Sequence, residues 1–283
     1  MTKIDKFYDI KNLLQCPRCG RKIRFHAGGL VCKKEHRFDI SSKGYVNMLQ
    51  ENRSFKGYDR EFFRCRNRFL QAGYYSHVLE AVTALVKEFT EKRENPEEPA
   101  VVIDAGCGEG YYSSGLFQTL EGIEILAFDI SADAVKMAAR GTEPVKWMVA
   151  DITNIPVRDG VADCILDIFT PANYSEFARI LKPEGRVIKV VPGIRHLEQL
   201  RQAAAPQLRN SEYSNTEVLD YFDGHFGIEQ HISVSRTMAV SFEELSDLVR
   251  MTPLLFDVDK NTLNFDDVKE ITVEAEILTG KQN

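Results

Sequence analysis

The sequence lacks any long apolar run. No stretch approaches the ~18 consecutive apolar residues that span a bilayer, and residues 1–6 lead into polar sequence rather than the apolar core of a secretion signal. Internal repeats and low-complexity tracts are absent as well. Apolar residues make up 43% and charged residues 28% of the 283 residues, which is typical of a globular protein. We therefore expect a folded, cytoplasmic protein with no membrane partner, built as one large domain or as a large and a small one.

Cysteine is scarce, and half of the six cysteines stand in one short segment. Cys16, Cys19, Cys32 and His36 form a C-x2-C-x12-C-x3-H pattern. The two-residue spacing lets both thiolates of one turn face the same ion, and the second pair can complete a tetrahedron. We predict a structural zinc site, because four protein ligands leave no open position and residues 14–40 have few apolar side chains for a core. Disulfides are the alternative, but a cytoplasmic compartment disfavours them.

Positive charge is in the minority, and the net charge of −6 at first disfavours a nucleic-acid partner. The charges are unevenly distributed, however. Residues 1–70 hold 17 Lys and Arg against 7 Asp and Glu, a net of +10, whereas the remaining residues hold 19 against 35. Neutralised phosphates supply much of the affinity for nucleic acid. The basic first quarter is therefore typical either of a phosphate-binding surface or of a solvated charged face.

A glycine-rich turn follows the apolar residues 101–103, but it lacks the Lys-Ser or Lys-Thr pair of a phosphate-binding loop. Residues 104–112 read D-A-G-C-G-E-G-Y-Y. Gly106, Gly108 and Gly110 let the backbone turn sharply after a buried strand and keep side chains away from a ligand. We predict that a cofactor binds at this turn.

Acidic residues stand at the ends of three successive predicted strands. They are Asp104, Asp129 and Asp151, and the carboxyl ends of parallel strands share one crevice. An acid at the position of Asp129 can accept hydrogen bonds from ribose hydroxyls. An acidic rim tolerates the sulfonium and ammonium charges of S-adenosylmethionine, whereas it repels a pyrophosphate. The alternative is that each carboxylate only caps a turn.

Seven predicted strands alternate with helices along the rest of the chain. The strands cover residues 101–104, 124–130, 145–150, 164–168, 186–191, 227–239 and 270–278. A helix over 241–250 begins with a capping box formed by Ser241 and Glu244, and residues 91–99 have the composition of a linker. The pattern predicts an α/β protein with a seven-stranded doubly wound sheet.

Several segments resemble one known family, in the same order along the chain. They are residues 16–19, 32–39, 43–49, 69–75, 104–112, 192–197 and 251–253. Together they are similar to the RlmA family of 23S rRNA (guanine-N1-)-methyltransferases, and the glycine-rich turn alone resembles the first motif of class I methyltransferases. The resemblance implies a class I methyltransferase (Rossmann-like) fold with S-adenosylmethionine and Zn²⁺ as cofactors, 23S rRNA as the partner, and a homodimer. We predict a zinc-binding module over 1–40, a helical connecting region over 41–95 and a methyltransferase domain over 96–283.

The resemblance also implies further cofactor contacts beside the glycines and the three acids. They are Tyr111, Ile130, Ile152 and His196. Methylation at N1 of guanine requires a base that removes the N1 proton. We predict Asp167, near the end of the fourth strand, for this role; the alternative is an Asp satisfied by backbone amides or by the ammonium group of the cofactor.

Four arginines are the predicted RNA contacts. Arg64, Arg66 and Arg68 alternate with aromatic residues between the zinc module and the sheet, where some rings can stack on an unstacked base. Much of that stretch should be helix core, because its aromatic residues recur at helical spacing. Arg195 follows the fifth strand, and packing at a helix start is its alternative role. Two other classes stay open, a small-molecule methyltransferase without need of a basic first quarter, and a zinc protein that binds RNA without catalysis.

Overall fold

The structure, a computed structural model, describes residues 3–10, 12–50, 57–208, 214–265 and 267–282. The helices are α1 (Arg60–Gln71), α2 (Ser76–Glu91), α3 (Tyr111–Thr119), α4 (Ala132–Ala138), α5 (Tyr174–Ile180), α6 (Glu198–Ala204), α7 (Thr216–Asp223) and α8 (Phe242–Met251). The strands are β1 (Ile23–His26), β2 (Gly29–Cys32), β3 (Arg37–Asp39), β4 (Tyr45–Asn47), β5 (Ala100–Ala105), β6 (Ile123–Asp129), β7 (Lys146–Val149), β8 (Ala162–Ile168), β9 (Leu181–Pro192), β10 (Phe226–Ala239) and β11 (Glu270–Gln282). None of the helices among these residues is long and apolar enough to cross a membrane.

Among the described residues, eight strands form one sheet in the order β10, β11, β9, β8, β5, β6, β7, β4. The strands from β9 to β4 pair in parallel, and β11 and β10 run antiparallel at the other edge. Parallel strands are covered on both faces and therefore read as apolar runs; all six residues of β5 are buried. The strand order reverses between β5 and β8, and such a reversal opens a ligand crevice at the carboxyl ends of the strands.

The predicted α/β class is confirmed, and the seven predicted strands correspond to β5 through β11. The structure adds β4, whose Tyr45 pairs with Trp147 of β7. Three residues carry too little pattern for a sequence-based prediction of a strand. Because β4 belongs to the central sheet, part of the region 41–95 is continuous with the fold of the methyltransferase domain. The predicted domain boundaries stay predictions.

One face of the sheet is covered by α1, α2 and α3. Phe62 and Phe69 of α1 and Val82 of α2 are buried in one cluster with Val102 of β5, and we call this cluster the helix-side core. Helix α1 begins where the carboxylate of Asp59 accepts a hydrogen bond from the backbone N–H of Phe62, at 2.8 Å. The aromatic residues that alternate with the arginines are therefore largely core.

The zinc module covers part of the opposite face. Strands β1, β2 and β3 form a small antiparallel sheet, and Leu30 of β2 is buried in one cluster with Ile103 and Leu126 of the central sheet. We call this cluster the zinc-side core. The backbone N–H of Gln15 also donates to the carbonyl of Pro156, at 3.0 Å. The module thus shares its core with the sheet.

Candidate functional site

The four predicted zinc ligands come together at one end of the zinc module. The ligand atoms of Cys16, Cys19, Cys32 and His36 all lie within 4.8 Å of one another. The Sγ of Cys16 is 3.3 Å from Nδ1 of His36, and the Sγ atoms of Cys19 and Cys32 are 3.7 Å apart. All three cysteines are free thiols, in contrast to the disulfide alternative. Three sulfurs and one imidazole nitrogen are a donor set that suits tetrahedral Zn²⁺.

Local backbone geometry aims these ligands at one point. Gly20 has a φ of +65°, and its N–H donates to the carbonyl of Cys16 at 2.8 Å, so the first ligand turn closes on itself. In the second turn the N–H of Cys32 donates to the carbonyl of His36 at 3.1 Å. The backbone N–H of Lys34 also donates to the Sγ of Cys32 at 3.3 Å, which favours the thiolate form that a metal requires.

The glycine-rich turn joins β5 to α3 at the crevice. Gly106, Gly108 and Gly110 have φ values of +76°, +57° and +87°, a region that other residues rarely adopt. A Cβ on Gly108 would lie 2.7 Å from Nη1 of Arg66, and one on Gly106 would collide with the side chain of Thr170. The sharp turn that the sequence predicts is therefore present, and at Gly106 the side chain of Thr170 leaves no room for a Cβ.

Two of the three strand-end acids lie against this turn. Asp104 is buried and accepts a hydrogen bond from the hydroxyl of Ser113 at 2.6 Å. The two oxygens of Asp129 accept from the backbone N–H groups of Gly108, at 3.0 Å, and Ser131, at 2.8 Å. Burial raises the pKa of Asp104 to about 7 and also raises the pKa of Asp129. The crevice is thus acidic at the position where the sequence predicts the ribose and the charged end of the cofactor.

The other predicted cofactor contacts are less closely grouped. Asp151 accepts hydrogen bonds from the backbone N–H and the hydroxyl of Thr153, at 2.9 and 2.7 Å. It therefore caps a turn, which is the alternative role considered for the strand-end acids. Ile130 directly follows β6, and Tyr111 opens α3; both are half-buried. Ile152 packs against the zinc-side core. A cofactor contact for each of these residues stays a prediction.

Asp167, the predicted general base, is buried near the end of β8. Asp167 lies two residues after Ile165, which is in the zinc-side core, so strand alternation turns it to the face opposite Asp104. Its side chain is fully buried, and one oxygen accepts from Nζ of Lys189 at 2.8 Å. Burial raises the pKa of Asp167 to about 6. Asp167 is thus the partner of a buried lysine, its Oδ1 has no hydrogen-bond partner among the described residues, and its role as general base stays a prediction.

Three rings meet beside the crevice at the end of β8. The ring centroid of Phe169 is 5.8 Å from that of Tyr75 and 5.7 Å from that of His196. Nδ1 of His196 lies 2.8 Å from the carbonyl of Glu274 and therefore carries the proton, which leaves Nε2 to accept from the Tyr75 hydroxyl at 3.3 Å. Burial lowers the pKa of His196 to about 4, so the ring is neutral.

The comparisons with known proteins cover both the zinc module and the crevice. A family model described as "RlmA, N-terminal" matches residues 14–54, and one described as "Methyltransferase domain" matches residues 102–185. The chain is 30% identical over 280 residues to YxjB of Bacillus subtilis (strain 168), whose name assigns it to the 23S rRNA (guanine-N(1)-)-methyltransferases. That match covers 95% of this chain and 97% of YxjB. The chain belongs to the RlmA family.

Other relatives separate the RlmA family from methyltransferases in general. The chain is 28% identical over 256 residues to the 23S rRNA (guanine(748)-N(1))-methyltransferase of Streptomyces fradiae, with 90% of each chain covered. A malonyl-[acyl-carrier protein] O-methyltransferase of Hahella chejuensis is 27% identical over 143 residues, which is 47% of this chain and 48% of that protein. The relative that matches only about half of this chain is thus named for a different substrate. The resemblance to the RlmA family found in the sequence motifs is confirmed.

The predicted RNA contacts of this RlmA-family chain fall into two groups. The side chains of Arg64, Arg68 and Arg195 are 48%, 56% and 56% exposed, although each is paired with an acidic side chain. Their contacts with RNA stay a prediction. The side chain of Arg66 is 20% exposed and points to the glycine-rich turn, where it forms an ion pair with Glu109. A contact between Arg66 and RNA also stays a prediction, although the guanidinium is much less exposed than those of the other three arginines.

Sequence reasoning missed Glu109 and the conformation of Phe169. Glu109 lies inside the motif and is buried at 4% exposure, but a glutamate between glycines gives no sign of a partner 43 residues earlier. Phe169 has a φ of +54°, a strained conformation for an aromatic residue that is held by its surroundings. Nζ of Lys189 donates to the carbonyl of Thr170 at 2.9 Å and fixes this turn.

Proposed function

We propose that this protein transfers a methyl group from S-adenosylmethionine to N1 of a guanine in a hairpin loop of 23S rRNA, with the zinc module helping to recognise RNA. The observation that carries the proposal is the joining of two sites on one sheet. The four-ligand cluster packs on one face, and the glycine-rich turn lies at the end of the same strands. Two relatives that match 90% or more of this chain are named for guanine-N1 methylation of 23S rRNA.

The crevice fits S-adenosylmethionine in its shape and its charge. Gly106, Gly108 and Gly110 keep side chains out of the turn, and Asp129 at the end of β6 has lone pairs to accept the ribose hydroxyls. Asp104 stabilises the turn by accepting a hydrogen bond from the hydroxyl of Ser113. The bound cofactor supplies an electrophilic methyl group on a sulfonium. These residues bind and orient it and exclude water from the reacting centre.

The ring cluster is where we expect the guanine. A base that is modified in a folded RNA must leave its stack, and aromatic side chains replace the lost stacking. The half-buried ring of Phe169, next to Tyr75 and His196, offers such a surface at the carboxyl end of β8. Thr170 lies against Gly106, so the ring cluster and the cofactor turn are adjacent. Phe169 thus places the base close to the methyl group.

The basic first quarter supplies the charge for binding RNA. Residues 1–70 carry a net charge of +10, and Arg64 and Arg68 are exposed on α1. Phosphate contacts of this kind position an RNA without reading its sequence. Arg195, beside the ring cluster, is suited to a phosphate or base edge near the target guanine. The family resemblance also favours a homodimer, and a ribosomal RNA substrate favours a cytoplasmic location.

Mass mapping of 23S rRNA tests the proposal. Unmethylated 23S rRNA is incubated with the protein and isotope-labelled S-adenosylmethionine, digested, and analysed for a labelled fragment. We expect one labelled guanine in a hairpin loop, with the label at N1. A matched reaction uses Gly106→Val, in which the added side chain collides with Thr170. Label on a small molecule and none on RNA would instead support the small-molecule class, and cofactor-independent RNA binding alone would support the non-catalytic class.

A further inference from the structure

An ion pair links α1 to the glycine-rich turn. Arg66 extends from α1 and pairs with the side chain of Glu109, which is completely buried. Helix α1 lies outside residues 102–185, the part of the chain that matches the methyltransferase domain. The pair therefore brings a residue from the amino-terminal third of the chain to the position where the cofactor turn begins.

The pair has unused hydrogen-bonding capacity on both sides. Oε1 of Glu109 is buried without a hydrogen-bond partner among the described residues, although Oε2 is bound by Arg66. A guanidinium has five N–H donors, and within the described part of the chain only Nη1 of Arg66 is bound, to Glu109. A buried polar atom without a partner costs free energy. Such an atom beside a ligand crevice indicates a group that the ligand supplies.

The position of the pair matches the turn that holds the cofactor. Nη1 of Arg66 lies 2.7 Å from the place where a Cβ of Gly108 would be. Burial raises the pKa of Asp104 and of Asp129, and the nearby charge of Arg66 opposes this rise in both. Arg66 is therefore the cation that faces the acidic crevice. Lys189, another buried cation near β8, is already bound to Asp167 and to the carbonyl of Thr170.

S-adenosylmethionine ends in an amino acid that carries a carboxylate and an ammonium group. Both charges lose water when the ligand enters a crevice, so each needs a partner of opposite charge. We propose that Arg66 and Glu109 bind this end of the cofactor, with the guanidinium donating to the carboxylate and the free oxygen of Glu109 accepting from the ammonium. This inference rests on the proposed function, because it assumes that the crevice binds S-adenosylmethionine.

Helix α1 then has a part in cofactor binding as well as a part in binding RNA. Arg64 and Arg68 on the same helix are exposed, whereas Arg66 points inward. A methyltransferase domain that began after α1 would retain Gly108 and Asp129 and lose the cation for the carboxylate. The two ends of the cofactor are thus bound by different parts of the chain.

Two ligands distinguish a contact with the amino-acid end of the cofactor from a general effect on the crevice. S-adenosylhomocysteine has the same amino-acid end, and 5′-methylthioadenosine has the same adenosine and sulfur without it. Calorimetry with the full chain should show that Arg66→Ala weakens the binding of S-adenosylhomocysteine roughly ten- to hundredfold, as expected for the loss of charged hydrogen bonds. The affinity for 5′-methylthioadenosine should change less than about threefold. Arg60→Ala, which removes an exposed arginine from the start of the same helix, should change neither affinity.

A double variant protects the test against misfolding. Removing Arg66 alone leaves Glu109 buried without a cation, so Arg66→Met combined with Glu109→Gln removes both charges together. We expect this variant to unfold near the wild-type temperature, to bind 5′-methylthioadenosine normally and to bind S-adenosylhomocysteine weakly. Equal losses for both ligands, or no loss for either, would overturn the assignment. A wild-type protein that binds neither ligand would overturn the proposed function, and this inference with it.

Discussion

The buried carboxyl of Asp104 makes the stability of the folded protein depend on pH. Burial raises its pKa to about 7 from an ordinary value of 3.8. Between these two pH values the folded protein holds a proton that the unfolded chain has lost, so the contribution of Asp104 to stability falls as the pH rises. The neutral form keeps the hydrogen bond with Ser113, at 2.6 Å, and an asparagine resembles this form.

We therefore predict that Asp104→Asn gains stability relative to the wild type as the pH rises. Between pH 5 and pH 8 the difference in the free energy of unfolding should shift by about 2–3 kcal/mol in favour of the variant. Denaturant unfolding of the cofactor-free protein at several pH values measures this shift. Parallel stability curves for the two proteins would mean that the carboxyl is not buried as described.

A second prediction concerns Asp167, which is the charge partner of Lys189. Asp167→Asn leaves a buried lysine without an anion and should lower the free energy of unfolding by about 3–5 kcal/mol. Replacing both residues, as in Asp167→Leu with Lys189→Met, should recover much of this loss. Denaturant unfolding of the three proteins checks the prediction. A stable Asp167→Asn protein whose slow methyl transfer recovers at high pH would instead support the general-base hypothesis.

At the scale of elements, the sequence predicted most of what local pattern can encode. The strands β5 through β11 follow from apolar runs and β-branched alternation, and α8 follows from its capping box. Strand β4 was missed because three residues have no pattern of their own. The pairing of Asp167 with Lys189 was missed because the two residues are 22 positions apart, on different strands. The partner of Arg66 is 43 residues away, and no local pattern reports such a distance.

Helix α1 separates cofactor binding from RNA binding in a testable way. Arg64 is exposed and pairs with Glu61, at 3.3 Å, one turn before it. We predict that Arg64→Ala weakens RNA binding for all sequences alike and lowers the slope of its salt dependence by about one unit. The affinity for S-adenosylhomocysteine should not change. Filter binding at several salt concentrations measures the slope, and an unchanged slope would remove Arg64 from the RNA contacts.

At the scale of the whole molecule, the zinc module and the methyltransferase sheet share one buried core. Leu14, Ile23 and Leu30 of the module are fully or almost fully buried, and they share the zinc-side core with Ile103 and Leu126. The sequence correctly indicated that the module is too small for a core of its own. It could not show that the sheet completes that core, because the contacts join parts of the chain that are far apart in sequence.

The shared core changes what loss of zinc should do. If the module were independent, Cys19→Ser would abolish metal and RNA binding and leave the sheet and the cofactor affinity intact. Because Leu30 and Ile103 belong to the same buried core, disorder in the module would uncover apolar side chains of the central sheet. Burial of one large apolar side chain contributes about 1.5–3 kcal/mol to stability. We therefore predict one zinc per wild-type chain, and a Cys19→Ser protein that unfolds in a single transition at a lower temperature. Elemental analysis and calorimetric unfolding measure both quantities. Two separate transitions, with the upper one unchanged from the wild type, would show instead that the sheet folds without the module.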